Sequence, residues 1–112
     1  MEGAREAAIT RVVAYIVNHP QAPLLRQDLA DLAAMNPRTF SHVFASILGV
    51  SVTTFVRSAR VAHAQGLLRE TDITVAEVMR RSGFSTTELG RRAFFRVTGV
   101  SPVQYRCGLD AR

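Results

Sequence analysis

The chain repeats itself after 50 residues, and this internal repeat most constrains its fold. Five positions match in order: Phe44, Gly49, Val50, Ser51 and Phe55 recur as Phe94, Gly99, Val100, Ser101 and Tyr105. We interpret the chain as two copies of one short unit, because five matches within one span are a poor fit to chance. With only 112 residues, the chain is too short for two cores of ordinary size. The repeat therefore favours two similar docking units over one catalytic pocket.

Apolar spacing and capping residues predict an all-α fold of about seven helices. The predicted helices cover residues 4–18, 26–33, 37–48, 52–70, 75–82, a segment opened by Ser85 and closed by Gly99, and 103–106. The fourth has about twenty residues and spans about 30 Å. We predict two helix-turn-helix subdomains, residues 1–50 and 71–112, joined by this long linker helix over residues 51–70.

The same spacing predicts which side chains are buried. In chain order they are Ile9, Val12, Val13, Ile16, Leu29, Leu32, Ala33, Phe40, Val43, Phe44, Ile47, Phe55, Ala59, Leu67, Leu68, Leu89, Phe94 and Val97. The turn between the second and third helices contains Ala34. We expect alanine to be tolerated there only if its backbone stays outside the left-handed region.

The charge is concentrated in the second half of the chain. All 14 basic residues are arginine, and the net charge is +5. Residues 1–49 contain four arginines and four acids, whereas residues 50–112 contain ten arginines and five acids. Five of the ten have only Glu88 as a nearby acid: Arg80, Arg81, Arg91, Arg92 and Arg96. Such a distribution favours an anionic partner.

Other classes of protein lack the residues they need. One cysteine, Cys107, excludes an intramolecular disulfide, and the three histidines have no partner at zinc-ligand spacing, so we expect neither metal nor cofactor. No apolar run is long enough to span a bilayer, and residues 1–10 lack a signal-peptide core. No convergent nucleophile, base and oxyanion site stands out, so we expect no enzyme. A reactive thiol at Cys107 is the one catalytic alternative, and an inert small residue is the commoner case.

Several motifs together resemble the DNA-binding domain of AraC/XylS-type bacterial transcription regulators, over about residues 9–106. The second half carries the run from Leu67 to Val78, then Gly83-Phe84-Ser85, Phe94, Gly99-Val100-Ser101-Pro102 and Tyr105; the first half carries Leu29-Ala30, Pro37-Arg38-Thr39-Phe40, Phe44 and Gly49-Val50-Ser51. The resemblance implies two helix-turn-helix units, each with a recognition helix, in successive major grooves of double-stranded DNA. It also implies a cytoplasmic, nucleoid-associated protein that works with RNA polymerase. Family members usually carry a separate sensing and dimerisation domain, for which this length leaves no room, so the chain is either an excised domain or a small stand-alone regulator.

The outer face of each recognition helix supplies candidates for contact with base edges. With Phe40 and Phe44 turned inward, Arg38, Ser41 and His42 lie on the opposite stripe, and a shift of 50 residues gives Glu88, Arg91 and Arg92; Thr87 is a further candidate. Arginine pairs bidentately with guanine, and a carboxylate accepts from cytosine N4. Glu88 has a second interpretation, as the last residue of a capping box begun by Ser85. Which of Arg91 and Arg92 meets a base and which a phosphate is left open.

Other polar residues are candidates for phosphate contact, which positions a protein on DNA without specifying sequence. They are Asn36, Thr53, Thr54, Arg80, Arg81, Arg96 and Ser101. Two of them, Asn36 and Ser101, cap predicted helix N-termini, where backbone N–H groups favour anions.

Five departures from the family pattern bear on these assignments, and one of them is Ala34, which replaces the common turn glycine. Leu25 and Arg26 stand where a hydroxyl cap and an apolar residue are usual. Gly90 stands where Phe40 lies in the first copy, and if Leu89 fills that space, the second recognition helix is rotated by part of a turn. Phe95 falls on the outer stripe, where it either touches a thymine methyl or shows that the stripe is misplaced. The alternative function is a helical module that binds an acidic protein partner; a steep loss of duplex affinity with salt distinguishes the two.

Overall fold

The structure is a computed structural model that describes residues 2–110. Over this range the chain forms seven α-helices and no strand, which confirms the predicted all-α class. The helices are α1 (Glu2–Asn18), α2 (Arg26–Leu32), α3 (Pro37–Leu48), α4 (Val52–Glu70), α5 (Val75–Arg81), α6 (Thr87–Thr98) and α7 (Pro102–Asp110). Helix α4, with 19 residues, is the predicted long linker helix.

The chain divides into two compact units, one ending at Val56 and the other beginning at Arg57. Unit 1 contains α1, α2, α3 and the first turn of α4. Unit 2 contains the remainder of α4 with α5, α6 and α7. Each unit therefore has one short helix, a tight turn and a 12-residue helix. The predicted division at residues 50 and 70 stays a prediction.

The 50-residue repeat is also a repeat of local geometry. The side chains of Asn36 and Thr86 cap α3 and α6, each accepting a hydrogen bond from the N–H three residues later, and Gly49 and Gly99 end these helices with φ of 79° and 81°. Phe44 packs edge-on against Phe55, with ring centroids 5.6 Å apart and an interplanar angle of 69°. Phe94 packs against Tyr105 at the same 5.6 Å and at 72°. Matching sequence positions thus have the same structural role in both units.

The cores confirm the main apolar stripes and correct the predicted ends of several. In unit 1, Ile9, Val12, Ile16, Leu29, Phe40, Val43 and Phe44 are buried. In unit 2, Val61, Ala64, Leu68, Val78, Met79, Ala93 and Phe94 form one buried cluster. Four residues predicted to be buried are exposed instead: Leu32, Ile47, Leu89 and Val97. Ile47 and Val97 occupy equivalent positions in the last turns of α3 and α6, where the helix runs past its core.

The buried face of α4 differs from the predicted one. Phe55, Ala59 and Leu67 are only half-buried, whereas Val56, Val61 and Ala64 are buried. Of the four residues predicted to be buried in α4, only Leu68 is, and the rest of the buried face consists of valines and one alanine.

Gly90 is required because Met79 occupies the space beside it. A Cβ added at Gly90 would lie 2.5 Å from Met79 Sδ and 3.0 Å from Met79 Cβ. In unit 1, Ala30 on the short helix corresponds to Met79, and Phe40 on the long helix corresponds to Gly90; both are fully buried. Unit 1 therefore has a small residue on its short helix and a large one on its long helix, and unit 2 has this pair exchanged.

This exchange preserves the register of α6. The buried residues of α6 are Gly90, Ala93 and Phe94, each 50 positions after a buried residue of α3. Leu89 is 50% exposed, so the expectation that it moves inward and rotates the helix is wrong.

The turns between the short and long helices contain a left-handed residue in each unit. Ala34 has φ +58° and Gly83 has φ +97°. Both turns use the same pair of hydrogen bonds. In one bond of the pair, Met35 N–H donates to Ala30 O in unit 1, and Phe84 N–H donates to Met79 O in unit 2. The condition we set for Ala34, a backbone outside the left-handed region, is not met. The turn geometry is imposed by the hydrogen bonds and the core on either side.

Candidate nucleic-acid interface

The outer stripe of α3 is polar and accessible, as predicted. Arg38 and His42 are exposed, and Ser41 is half-buried. Ser46, one turn after His42, is exposed on the same stripe and was missed by the sequence analysis. His42 and Ser46 line a groove with Arg5 and Glu6 of α1. The 50-residue shift, which relates Ser46 to Arg96, is the signal that could have found it.

The outer stripe of α6 carries more charge. Glu88, Arg91, Arg92 and Arg96 are exposed, and Thr87 is half-buried at the first turn. Arg92 Nε donates to Glu88 Oε2 over 3.2 Å, one helical turn away. Glu88 and the three arginines line a groove together with Phe95, and residues 101–103 at the start of α7 complete it. The stripe therefore offers guanidinium groups, one carboxylate and one aromatic ring.

The predicted capping box at the start of α6 is wrong by one residue. Thr86, and not Ser85, is the N-cap, and its hydroxyl accepts from Leu89 N–H over 3.1 Å. The turn of unit 2 is one residue longer than that of unit 1, which places the cap 50 residues after Asn36. Glu88 consequently lies one position before the site from which a capping-box carboxylate reaches back.

The arginines of α5 share the carboxylate of Glu77, so the expectation that Glu88 is the only acid near them is wrong. Arg80 forms a close ion pair with Glu77, and Arg81 Nε donates to Glu77 Oε2 over 2.7 Å. Hydrogen bonds from Arg80 and then Arg81 lower the pKa of the Glu77 carboxyl to about 2, and the bond to Glu77 raises the pKa of Arg80. Both guanidinium groups remain exposed, but the three side chains together carry a net charge of +1. The phosphate candidates of α5 thus contribute less net positive charge than their number indicates.

Two further arginines of unit 2 have structural partners, which the sequence analysis did not foresee. Arg106 donates to the backbone carbonyls of Leu68, Thr71 and Ile73 at 3.4, 3.1 and 2.7 Å. Arg69 donates to Tyr105 Oη over 2.9 Å. These contacts bind α7 to the end of α4, where the last carbonyls of a helix favour a cation. Three exposed arginines of unit 2 remain, on the outer stripe of α6: Arg91, Arg92 and Arg96.

The remaining phosphate candidates lie at helix starts. The side-chain oxygen of Asn36 accepts from Thr39 N–H over 2.8 Å, and Ser101 Oγ accepts from Gln104 N–H over 3.1 Å. At α4, Ser51 Oγ caps Thr54 N–H and donates to Thr54 Oγ1, while Thr53 is exposed. These oxygens order the helix ends, so a phosphate would meet mainly the nearby N–H groups.

No group of three or more histidine, cysteine or acidic residues is arranged to hold a metal ion within the described part of the chain. Among residues 2–110, no single helix is long and apolar enough to cross a membrane; α3 and α4, taken together as a bent pair, meet that test by length and composition alone.

Comparison with known proteins identifies the family of this arrangement. Residues 29–107 match the model of a helix-turn-helix domain family. The HTH-type transcriptional regulator Rv1931c of Mycobacterium tuberculosis is 43% identical over 79 residues, which cover 70% of this chain and 30% of that protein. The transcriptional activator RhaR of an Enterobacter species is 26% identical over 102 residues, which cover 91% of this chain and 36% of that one. The chain spans about a third of the length of these curated relatives.

Solved structures agree over nearly the whole chain. The DNA-binding domain of AdpA, a global transcriptional factor crystallised with a target DNA, superposes with a TM-score of 0.88 at 36% identity and covers 93% of this chain and 94% of that one. The C-terminal domain of AraT, a response regulator from Geobacillus stearothermophilus, has a TM-score of 0.84 at 29% identity, with coverages of 90% and 84%. These similarities do not favour the alternative of a module for an acidic protein partner. The chain belongs to the helix-turn-helix family, as a DNA-binding domain of the AraC type.

Proposed function

We propose that this chain binds specific sequences in double-stranded DNA and regulates bacterial transcription, with α3 and α6 as its two recognition helices. The observation that carries the proposal is the duplicated stripe. Positions 38, 41 and 42 of α3 face outward over a core of Phe40, Val43 and Phe44, and the same pattern recurs 50 residues later in α6. A recognition helix needs this division, with apolar residues inside and polar residues at base edges.

In the complex that we propose, the helices enter successive major grooves, about 34 Å apart along the duplex. One chain then binds an asymmetric site without a second copy. Its role is binding rather than catalysis, and it acts on the nucleoid in the cytoplasm. Since the matched region covers only about a third of each of these relatives, we further propose that a separate sensing or dimerisation domain and RNA polymerase are the protein partners of this chain.

We propose an unequal division of labour between the two units. The stripe of α6 offers Arg91, Arg92 and Arg96, whereas Arg38 is the cation on that of α3. Arginine contacts supply both guanine recognition and salt-sensitive affinity. Unit 2 therefore supplies more of the electrostatic affinity, and unit 1 contributes mainly to discrimination between sequences.

Selection from a random duplex pool, followed by fluorescence anisotropy over a range of salt concentrations, tests this function. We expect one bipartite motif and a linear fall of log affinity with log salt concentration. Each lost phosphate contact reduces that slope by about 0.9. The double change Arg91→Ala with Arg92→Ala should lower affinity and slope more than Arg38→Ala alone.

Two controls separate charge from geometry. Changing both Arg11 and Arg26, which are exposed outside the two stripes, to alanine removes the same charge and should have the smaller effect. Lysine at both 91 and 92 keeps the charge but loses the bidentate fork, so the slope should persist while discrimination falls. Equal losses from the stripe and control pairs would refute the assignment of α6, and the absence of salt-sensitive duplex binding would refute the function.

A further inference from the structure

Phe95 is a large apolar side chain in the middle of a charged helix face. It is 59% exposed, and Arg91, Arg92 and Arg96 are its neighbours on the outer stripe of α6. It also lines the groove between α6 and the start of α7, together with Pro102 and Val103. Val103 is itself 51% exposed, so an apolar strip runs beside the guanidinium groups.

Packing within unit 2 does not account for Phe95. Ala93 and Phe94, the two preceding residues, fill the core, and Phe94 makes the aromatic contact with Tyr105. The equivalent residue of unit 1 is Ala45, which is half-buried. The fold therefore tolerates a methyl group at this position of the repeat, and the phenyl ring of unit 2 serves something outside the unit.

We propose that Phe95 is a specificity-determining residue that contacts the 5-methyl group of a thymine, an inference that rests on the proposed function. The thymine methyl is the apolar group that a major groove presents to a side chain, and phenylalanine is one of the residues that pack against it. Arginines on either side hold the helix against guanine edges and phosphates. Unit 2 thus selects a thymine beside the bases or phosphates that its arginines contact.

Replacing thymine with deoxyuridine tests this contact, because it removes one methyl and leaves every hydrogen-bonding group in place. In the selected duplex, each thymine is replaced in turn, and Kd is measured for the wild-type chain and for Phe95→Ala. At one thymine in the half-site of unit 2, the wild type should lose about fourfold in affinity, the worth of one buried methyl group. At that position Phe95→Ala should bind the two duplexes equally, and Phe95→Leu should keep part of the preference.

Val97→Ala is the matched control, because Val97 is an exposed apolar residue of the same helix, about 200° around its axis from Phe95. It should keep the full thymine preference. Circular dichroism melts of all three variants check that each is folded, and the exposure of both side chains predicts small changes in Tm.

The outcomes separate the two proposals. Loss of the preference in Phe95→Ala alone supports the contact. Salt-sensitive binding with equal responses to deoxyuridine in the wild type and Phe95→Ala overturns the role of Phe95 and leaves the proposed function standing. Failure of the folded wild type to bind any selected duplex overturns the function itself.

Discussion

Gly90→Ala should destabilise unit 2, although alanine is the better helix former. The new Cβ would lie 2.5 Å from Met79 Sδ, 2.7 Å from Cγ and 3.0 Å from Cβ, so the whole Met79 side chain has to move. Met79 is fully buried, and the surrounding core leaves it little alternative space. Overpacking costs about 2 kcal/mol and helix propensity returns about 1 kcal/mol, so the free energy of unfolding should fall by about 1 kcal/mol.

The same substitution should have the opposite sign once Met79 is shortened. Met79→Ala alone should cost about 2–5 kcal/mol, because it leaves a cavity. In that background the new methyl group fills part of the cavity, and Gly90→Ala should stabilise by about 1–2 kcal/mol from propensity and burial together. The two changes are therefore coupled by about 2–3 kcal/mol, as expected for side chains in direct contact.

Urea denaturation of the four proteins, followed by far-ultraviolet circular dichroism, measures this cycle. Gly66→Ala is the control, because a Cβ at Gly66 of α4 would meet only Arg69 Nη2, at an ordinary 3.9 Å. It should stabilise the chain by about 1 kcal/mol. If Gly90→Ala behaves like Gly66→Ala, with the same gain in both Met79 backgrounds, the argument from close approach is wrong.

Three more predictions follow from the turns and ion pairs. Ala34→Gly should raise Tm by relieving a left-handed alanine, with a gain of about 0.5–1 kcal/mol after the entropy of glycine in the unfolded chain is subtracted. Gly83→Ala should lower it, and shifts in the same direction would contradict the argument. The depressed pKa of Glu77, about 2, means that its ion pairs contribute fully above the unfolded pKa and are lost as the pH falls towards 2. The Tm difference between wild type and Glu77→Gln should therefore shrink between about pH 5 and pH 2, and a constant difference would count against the pairing. Arg106→Ala should cost about 1.5–3 kcal/mol in urea denaturation, through loss of its carbonyl contacts, and Arg106→Lys should recover only part; stability equal to wild type would exclude that role.

Much of the fold follows from signals that lie close together in the sequence. Asn36 before Pro37, and the glycines at 49 and 99, predicted helix ends that the structure confirms. The first residue of α6 was harder to predict, because Ser85 and Thr86 can both cap a helix. Only the length of the preceding turn decides between the two hydroxyls, and that length depends on how α5 and α6 pack in three dimensions.

The errors in the core have a different cause. Periodicity within one helix does not reveal that Met79 on another helix fills the space above Gly90, and so Leu89 was assigned to it. The candidate stripes were easier to predict, because exposed and buried positions within one helix follow the helical period. The partners of the arginines were not predictable in this way, since Arg106 reaches carbonyls more than thirty residues away.

The exchange between residues 30 and 40 in one unit and residues 79 and 90 in the other limits how this domain can be retargeted. A recognition helix moved alone from unit 2 into unit 1 would set glycine opposite Ala30 and leave a hole, and the reverse graft would force a phenyl ring against Met79. Chimeras that alter operator choice should therefore transplant each short helix with its long partner. Libraries confined to the outward positions of α3 and α6 avoid the incompatibility altogether.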